Sequence, residues 1–281
     1  MKKTIIALAA LAFGNVSAQE LPTPSSKSSV EQRIGLTDIV VEYHRPNVNN
    51  RTIFGELVPF GEVWRTGANK ATAVTFSTEV MIMDDVLPAG TYSLFTIPEE
   101  NQWTIILNSE TELWGTGNYS SDNDVMRFTV EPENVPFTES FTIGFHNIIE
   151  NAGMMSLSWA ETKVSIPIQV DVQLQALKNI KEAVESDDAS WSVFRNSASY
   201  YMDKEIDNEQ ALAWMQRSIE LKDDNWYSLY LLGRAYHLNG DRKNAKKTGK
   251  QALKLYRDNS EEGSRPYEAM LEAALEEWKK K

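Results

Sequence analysis

Hydrophobic periodicity changes once along this 281-residue chain, near Asp171, and the change constrains what the chain can fold into. Before it, short runs of Val, Ile, Thr and aromatic residues alternate with turn residues, the pattern of strands. After it, Leu174, Leu177, Ile180 and Val184 recur at helical spacing and start a helix near 171–186. The expected fold is therefore α+β in separate parts. An antiparallel β-sandwich, or a barrel-like variant, occupies residues 30–170, and an all-α helical-repeat region occupies 171–281. Residues 1–18 read as a secretory signal and 19–29 as a Pro/Ser linker.

Strands are expected near 30–34, 38–44, 72–77, 79–83, 90–97, 102–108, 125–131, 140–146, 153–160 and 162–170. No helical pattern separates them, which argues against a parallel α/β sheet. Thr91–Ile97 alternates, with Tyr92, Leu94 and Thr96 on one face. Trp103–Leu107 is nearly continuously apolar, as a central strand buried on both faces would be. Leu87-Pro-Ala-Gly90, Asp84-Asp85 and Asp122-Asn123-Asp124 read as turns.

Lys2-Lys3, the apolar run Ile5–Phe13 and the small-residue site Val16-Ser17-Ala18 are the three parts of a signal, with Gln19 the expected mature start. The apolar run is about half the roughly 20 residues that span a bilayer. The mature chain is expected to be periplasmic or secreted, with no membrane insertion. There is no cysteine, which excludes disulfides, thiol nucleophiles and Cys-ligated metals together. Residues 19–170 carry 8 Lys and Arg against 20 Asp and Glu. Such a surface repels phosphate backbones and anionic headgroups, so nucleic acid is not an expected partner.

Catalytic signatures are missing. The chain has no Gly-rich phosphate loop, no Gly-x-Ser-x-Gly and three histidines, so neither cofactor nor metal is expected. His44 or His146 with Glu42 or Glu56 could supply a general base to a hydrolase acting on a glycan or anionic metabolite. No paired nucleophile accompanies them, and binding is favoured over catalysis.

The segment from Arg45 to Asn69 has poor strand periodicity and is long for a loop in a compact domain, which marks it as functional or as a cover. Arg45-Pro46 stops the preceding strand. Phe54, Leu57, Val58, Phe60, Val63 and Trp64 supply apolar surface to fold the loop down. Arg45, Arg51, Trp64, Arg65 and Asn69 are the candidate ligand-binding residues. Three of the eight cations of residues 19–170 fall in this one loop. Arginine forks bind carboxylate or phosphate and a tryptophan offers a stacking face, so a small anionic or saccharide ligand is expected. Trp103, Trp114 and Tyr119 could extend a sugar-stacking surface. The structural alternative is that the arginines pair with Glu42, Glu56 and Glu62 and pin the loop.

Beyond residue 171 the pattern repeats. Ala211 and Ala245 are 34 residues apart, as are Leu221 and Leu255. Leu229, Leu232, Gly233, Tyr236, Ala245 and Ala252 fall at the spacing of tetratricopeptide helix pairs, with Asn239-Gly240-Asp241 as the turn. A degenerate first copy uses Ser199, Tyr201, Ala211 and Ser218. Pro266 precedes a final helix. The repeat makes a protein partner an expected function of this region.

The first part also resembles a known family, over about Pro24 to Val170. The marks are Gly35-Leu-Thr-Asp38, Val41-x-Tyr43, Arg45-Pro46, Arg51-x-Ile-Phe-Gly55, Leu57-Val-Pro59, Gly61-x-Val-Trp-Arg-Thr-Gly-Ala-Asn69, Leu87-Pro-Ala-Gly-Thr-Tyr92, Phe95-Thr-Ile-Pro98 and Trp103-Thr-x-Ile106. This set is similar to the bacterial DUF2911 domain family, found chiefly in Bacteroidetes. The resemblance implies a secreted protein, often with a helical extension, and carries over no catalytic residue. The chain departs from the family pattern at His44, where serine is expected, at Asn49-Asn50 and at Phe60.

Overall fold

The computed structural model describes residues 22–261 and 265–280. The signal and its cleavage site lie outside the described residues. The chain divides between Val172 and Gln173 into two compact units.

The first unit contains ten strands: β1 (Ser26–Ile34), β2 (Thr37–Arg45), β3 (Thr72–Phe76), β4 (Val80–Ile82), β5 (Asp85–Leu87), β6 (Gly90–Ile97), β7 (Trp103–Asn108), β8 (Asp124–Val130), β9 (Glu133–His146) and β10 (Ala152–Gln169). They form a six-stranded sheet in the order β1-β2-β3-β6-β7-β8 and a four-stranded sheet in the order β5-β4-β10-β9. Neighbouring strands are antiparallel in both. One core joins the sheets: Ile39, Val41, Val74, Leu94 and Ile105 from the first, Phe141, Ile143, Leu157, Trp159 and Ile166 from the second. The first sheet is also covered on its other face. Phe95 and Ile106 pack there with Ala71 and Leu113. Double coverage is what the near-continuous apolar run at Trp103–Leu107 requires.

Four differences from the expected strands share one cause, weak local signal at edges and bends. Strand β1 begins at Ser26, inside the expected linker. It is a largely exposed edge strand with little apolar content, held by its register with β2 from Ser26–Arg45 to Ile34–Thr37. Strand β5 occupies what reads as turn at Asp85 and Leu87. A two-residue connection, Met83-Asp84, joins it to β4, with Met83 at φ 56 instead of the glycine or asparagine that marks such hairpins. Strand β9 starts seven residues early and contains Pro136, which an edge strand tolerates because one row of its N–H groups has no ladder partner. The two strands expected at 153–160 and 162–170 are one. Register shifts on either side of Ala160, itself at φ 52, bend β10 without ending it.

The helices are α1 (Val172–Glu185), α2 (Trp191–Asp203), α3 (Asn208–Leu221), α4 (Trp226–Leu238), α5 (Arg242–Asp258) and α6 (Glu268–Glu277). Helices α2 and α3 form one hairpin and α4 and α5 another. The 34-residue offset is visible in the caps. Asp207 accepts from the Gln210 N–H at 2.9 Å, and Asp241 from the Asn244 N–H at 3.0 Å. Ala211 and Ala245, one turn further on, are both fully buried. Between α4 and α5, Gly240 (φ 79) donates to His237 O and Asp241 N donates to Tyr236 O, a Schellman ending that needs the left-handed glycine. In the degenerate copy Ala211 and Ser218 are buried as expected, while on α2 the buried small residues are Ser197 and Ala198 instead of Ser199. A Cβ on Gly233 or Gly249 would lie 2.6 or 2.8 Å from the Trp278 ring, so these glycines make the slot for that indole. Among the described residues no helix is long and apolar enough to cross a membrane.

Candidate functional site

The Arg45–Asn69 loop ties the two sheets of the sandwich together. After Arg45 ends β2 in the first sheet, the backbone crosses to the open edge of β9 in the second. Phe141 N–H donates to Pro46 O at 2.9 Å and Val48 N–H to Glu139 O at 2.8 Å. The returning limb rejoins the first sheet. Trp64 and Thr96 exchange backbone hydrogen bonds of 2.7 and 2.9 Å beyond the end of β3. Of the apolar residues expected to fold the loop down, Val58 and Trp64 are buried and Phe54 packs on the core, whereas Leu57 and Phe60 face solvent.

Trp64 is a core residue. Its ring stacks on Trp159 at 5.7 Å and meets Phe54, Trp103 and Phe141 edgewise, and its Nε1 donates to Gly67 O at 3.1 Å. The expected open stacking face is therefore corrected: neighbouring aromatic rings occupy it. Trp103 belongs to the same cluster. Tyr119 packs on Phe95 and donates to Asp124 Oδ2 at 2.8 Å, and burial with that bond pushes its pKa up to about 12. Trp114 alone stays exposed.

The turn after Trp64 is closed by hydroxyls. Thr72 Oγ1 donates to Thr66 O at 2.6 Å, and the buried Thr66 hydroxyl donates to Thr96 Oγ1 at 3.2 Å. Gly67 sits at φ 150, and a Cβ there would come within 3.0 Å of His44 O. Glycine is required by backbone angle and by space together.

The arginines fall into place against the other cations. Lys27–Glu42, Arg33–Asp38, Lys70–Glu112, Arg127–Asp124 and Lys163–Glu133 are ion pairs of 2.6 to 3.2 Å. The three remaining cations of the sandwich are Arg45, Arg51 and Arg65. None of them pairs with a carboxylate among the described residues, so the expected pinning by Glu42, Glu56 and Glu62 is also corrected. Glu42 is held by Lys27, and Glu56 and Glu62 are exposed.

Each arginine has a different situation. Arg45 donates from Nε to Phe141 O at 2.9 Å and from Nη2 to Thr142 Oγ1 at 2.7 Å, which makes it a strut between sheets. Arg51 donates from Nε to Val48 O at 3.0 Å and from Nη2 to Asn47 O at 2.6 Å, leaving Nη1. The Arg65 Nε is buried with no hydrogen-bond partner, and burial holds the pKa of this guanidinium below its ordinary value. It stays a cation at any physiological pH.

A cavity of about 380 Å³ opens beside this loop, and Arg51, Trp64, Arg65 and Asn69 all border it. Four of the five candidate residues are thus brought together. Arg45 does not line the cavity. Asn49 and Trp159 do, and were not among the candidates. Asn49 carries a signal in its left-handed backbone (φ 49), whereas Trp159 arrives from β10 with no local mark. A smaller cavity of about 210 Å³ is lined by Glu99, Glu100, Glu133 and Glu161, so charge is segregated between the two.

The histidines lie elsewhere. Burial first, then the Lys27 charge, holds His44 below the usual imidazole range. Neither His44 nor His146 lines the cavity.

Residues 25–168 match the model of a family described as a protein of unknown function, DUF2911. The chain belongs to the DUF2911 family. No curated protein matches it. The DUF2911 match begins one residue before β1 and ends within β10, so it takes in both sheets, the 45–69 loop and its cavity, and leaves the helices outside.

Proposed function

We propose that the DUF2911 sandwich of this chain is a binding module for a small anion, seated in the cavity beside the 45–69 loop with Arg65 as its anchor. One observation carries this reading: every cation of the sandwich outside the loop has a carboxylate partner, the three inside it have none, and two of those three border one cavity. A guanidinium with a buried, unpartnered Nε costs desolvation that no hydrogen bond from a described residue offsets. An anion bound there offsets it. The volume also falls in the range of small-molecule sites, roughly 300–1,000 Å³.

The test is a calorimetric and thermal-shift screen of the mature chain against small anions, repeated on Arg65→Met. Saturable binding lost in the variant supports the module. Anions that never bind, or that bind the variant equally well, sink it.

We further read the helical unit as a tetratricopeptide-like platform for a protein partner, on the 34-residue repeat of caps and buried alanines, and the whole chain as periplasmic or secreted, on its first 18 residues. A pull-down on the mature chain that recovers nothing above background counts against the first. A secreted product that does not begin at Gln19 counts against the signal cleavage. The hydrolase alternative needs a carboxylate beside His44 or His146; Glu42 is engaged by Lys27, and the anion cavity holds neither histidine.

A further inference from the structure

We infer that the anion this cavity takes is a singly charged hydroxy-carboxylate of sugar-acid size. The inference rests on the anion-binding reading above and sharpens it to a ligand class. Three features of the cavity decide between anions.

The first is where the donors are. The Arg65 Nε is buried, and the side chain gives no hydrogen bond to any described residue, so its two Nη nitrogens are left to meet two oxygens on one centre. Arg51 cannot do the same, because its Nε and Nη2 are spent on Val48 O and Asn47 O. One full fork and one spare Nη1 suit one carboxylate. A phosphate dianion would leave oxygens unsatisfied or call for a second complete fork.

The second is the surrounding charge. Residues 19–170 carry 20 carboxylates against 8 cations, and the acidic cavity described above belongs to the same unit. That field penalises each added negative charge on a ligand. A monoanion neutralised by Arg65 is tolerated where citrate or phosphate is repelled.

The third is the rest of the lining. Asn49 and Asn69 border the cavity, and their side-chain amides bond to no described residue. The backbone N–H groups of Gly67 and Ala68, also in the lining, likewise donate to no described residue. These groups call for hydroxyls on the ligand body. The indoles of Trp64 and Trp159 are enclosed by other rings and present no face on which an aromatic ligand could stack. At roughly 30 Å³ per water, a cavity of about 380 Å³ has room for about a dozen waters, which is space enough for a hexuronate.

The experiment is isothermal titration of the mature chain with five probes: glucuronate, glucose, 4-phenylbutyrate, inorganic phosphate and citrate. Glucuronate is expected to bind tightest, with 4-phenylbutyrate weaker, and glucose, phosphate and citrate weaker by about tenfold or more. Arg65→Met is expected to lower glucuronate affinity by about tenfold or more, and Asn69→Ala by a smaller factor. Phosphate or citrate binding as tightly as glucuronate, with Arg65 still required, overturns the ligand class and leaves the anion module standing. So does 4-phenylbutyrate binding tightest. No binding of any of the four anions overturns both. Circular dichroism and the melting temperature of each variant confirm that a lost signal is not lost folding.

Discussion

The two limbs of the 45–69 loop solve the same problem differently. On the outgoing limb, Arg45 and Arg51 are spent on protein acceptors: Phe141 O, Thr142 Oγ1, Val48 O and Asn47 O. On the returning limb, Trp64 is buried and bonded, while the next residue, Arg65, has a buried Nε with no partner. The contrast comes from backbone direction. Trp64 pairs as a strand residue with Thr96, and in extended backbone successive side chains point to opposite sides. A Trp-Arg doublet there sends the indole into the core and the guanidinium away from it. Arginine count alone therefore says little about binding; what the guanidinium already holds says more.

Substitutions can break this comparison. Trp64→Ala has the largest expected effect. It removes an indole packed against four other aromatic rings, and a loss of about 3–5 kcal/mol is expected by urea unfolding. A loss below about 1 kcal/mol would show that the cluster repacks without it and that the returning limb is not a core element. Arg45→Met should cost less, about 1–3 kcal/mol, because it leaves Phe141 O and Thr142 Oγ1 without their donor and unpins the outgoing limb. Arg65→Met should change stability by no more than about 0.5 kcal/mol or raise it, since the stem is kept and an unpartnered buried donor is removed. Equal losses in Arg45→Met and Arg65→Met would erase the difference between the limbs and make both arginines struts.

Much of this was legible in the sequence, for physical reasons that differ by element. Strands β6 and β7 announce themselves because their side chains pack in cores, whereas α1 is legible from its helical period alone, since Leu174 is exposed and its buried residues are Gln175 and Ala176. The Asn239-Gly240-Asp241 turn is legible because a Schellman ending and an N-cap each demand a residue type. Strands β1 and β5 are not, since register with a neighbour creates them and short exposed edges carry no period. At the site, Arg51, Trp64, Arg65 and Asn69, grouped from the sequence, border one cavity because they share a loop that must close. The sequence could not tell that Arg45 is consumed by β9 or that Trp159 lines the cavity. Those facts depend on two strands, β9 and β10, about ninety or more residues further on.

The smallest effect tests how tightly the start of the loop is packed. The Gly67 backbone approaches His44 O so closely that no side chain fits, and His44 is held below its ordinary pKa of 6.5 first by burial and then by Lys27. The fold therefore favours neutral imidazole. Above pH 6.5 neither folded nor unfolded chain binds this proton, and His44 leaves stability independent of pH. As pH falls below 6.5 the unfolded chain binds it first, so stability declines until the depressed folded pKa is passed. Glu42 behaves in the opposite sense: Lys27 lowers its pKa from 4.5, so its contribution is present above pH 4.5 and is lost as pH falls through the depressed folded value. The His44 decline begins at a higher pH than the Glu42 loss. His44→Gln should flatten the decline that begins near pH 6.5 and leave the Glu42 loss below pH 4.5 in place. Urea midpoints from pH 8 to pH 4 measure this directly. A decline of unchanged slope in His44→Gln would mean that burial and Lys27 do not depress the His44 pKa in the folded chain.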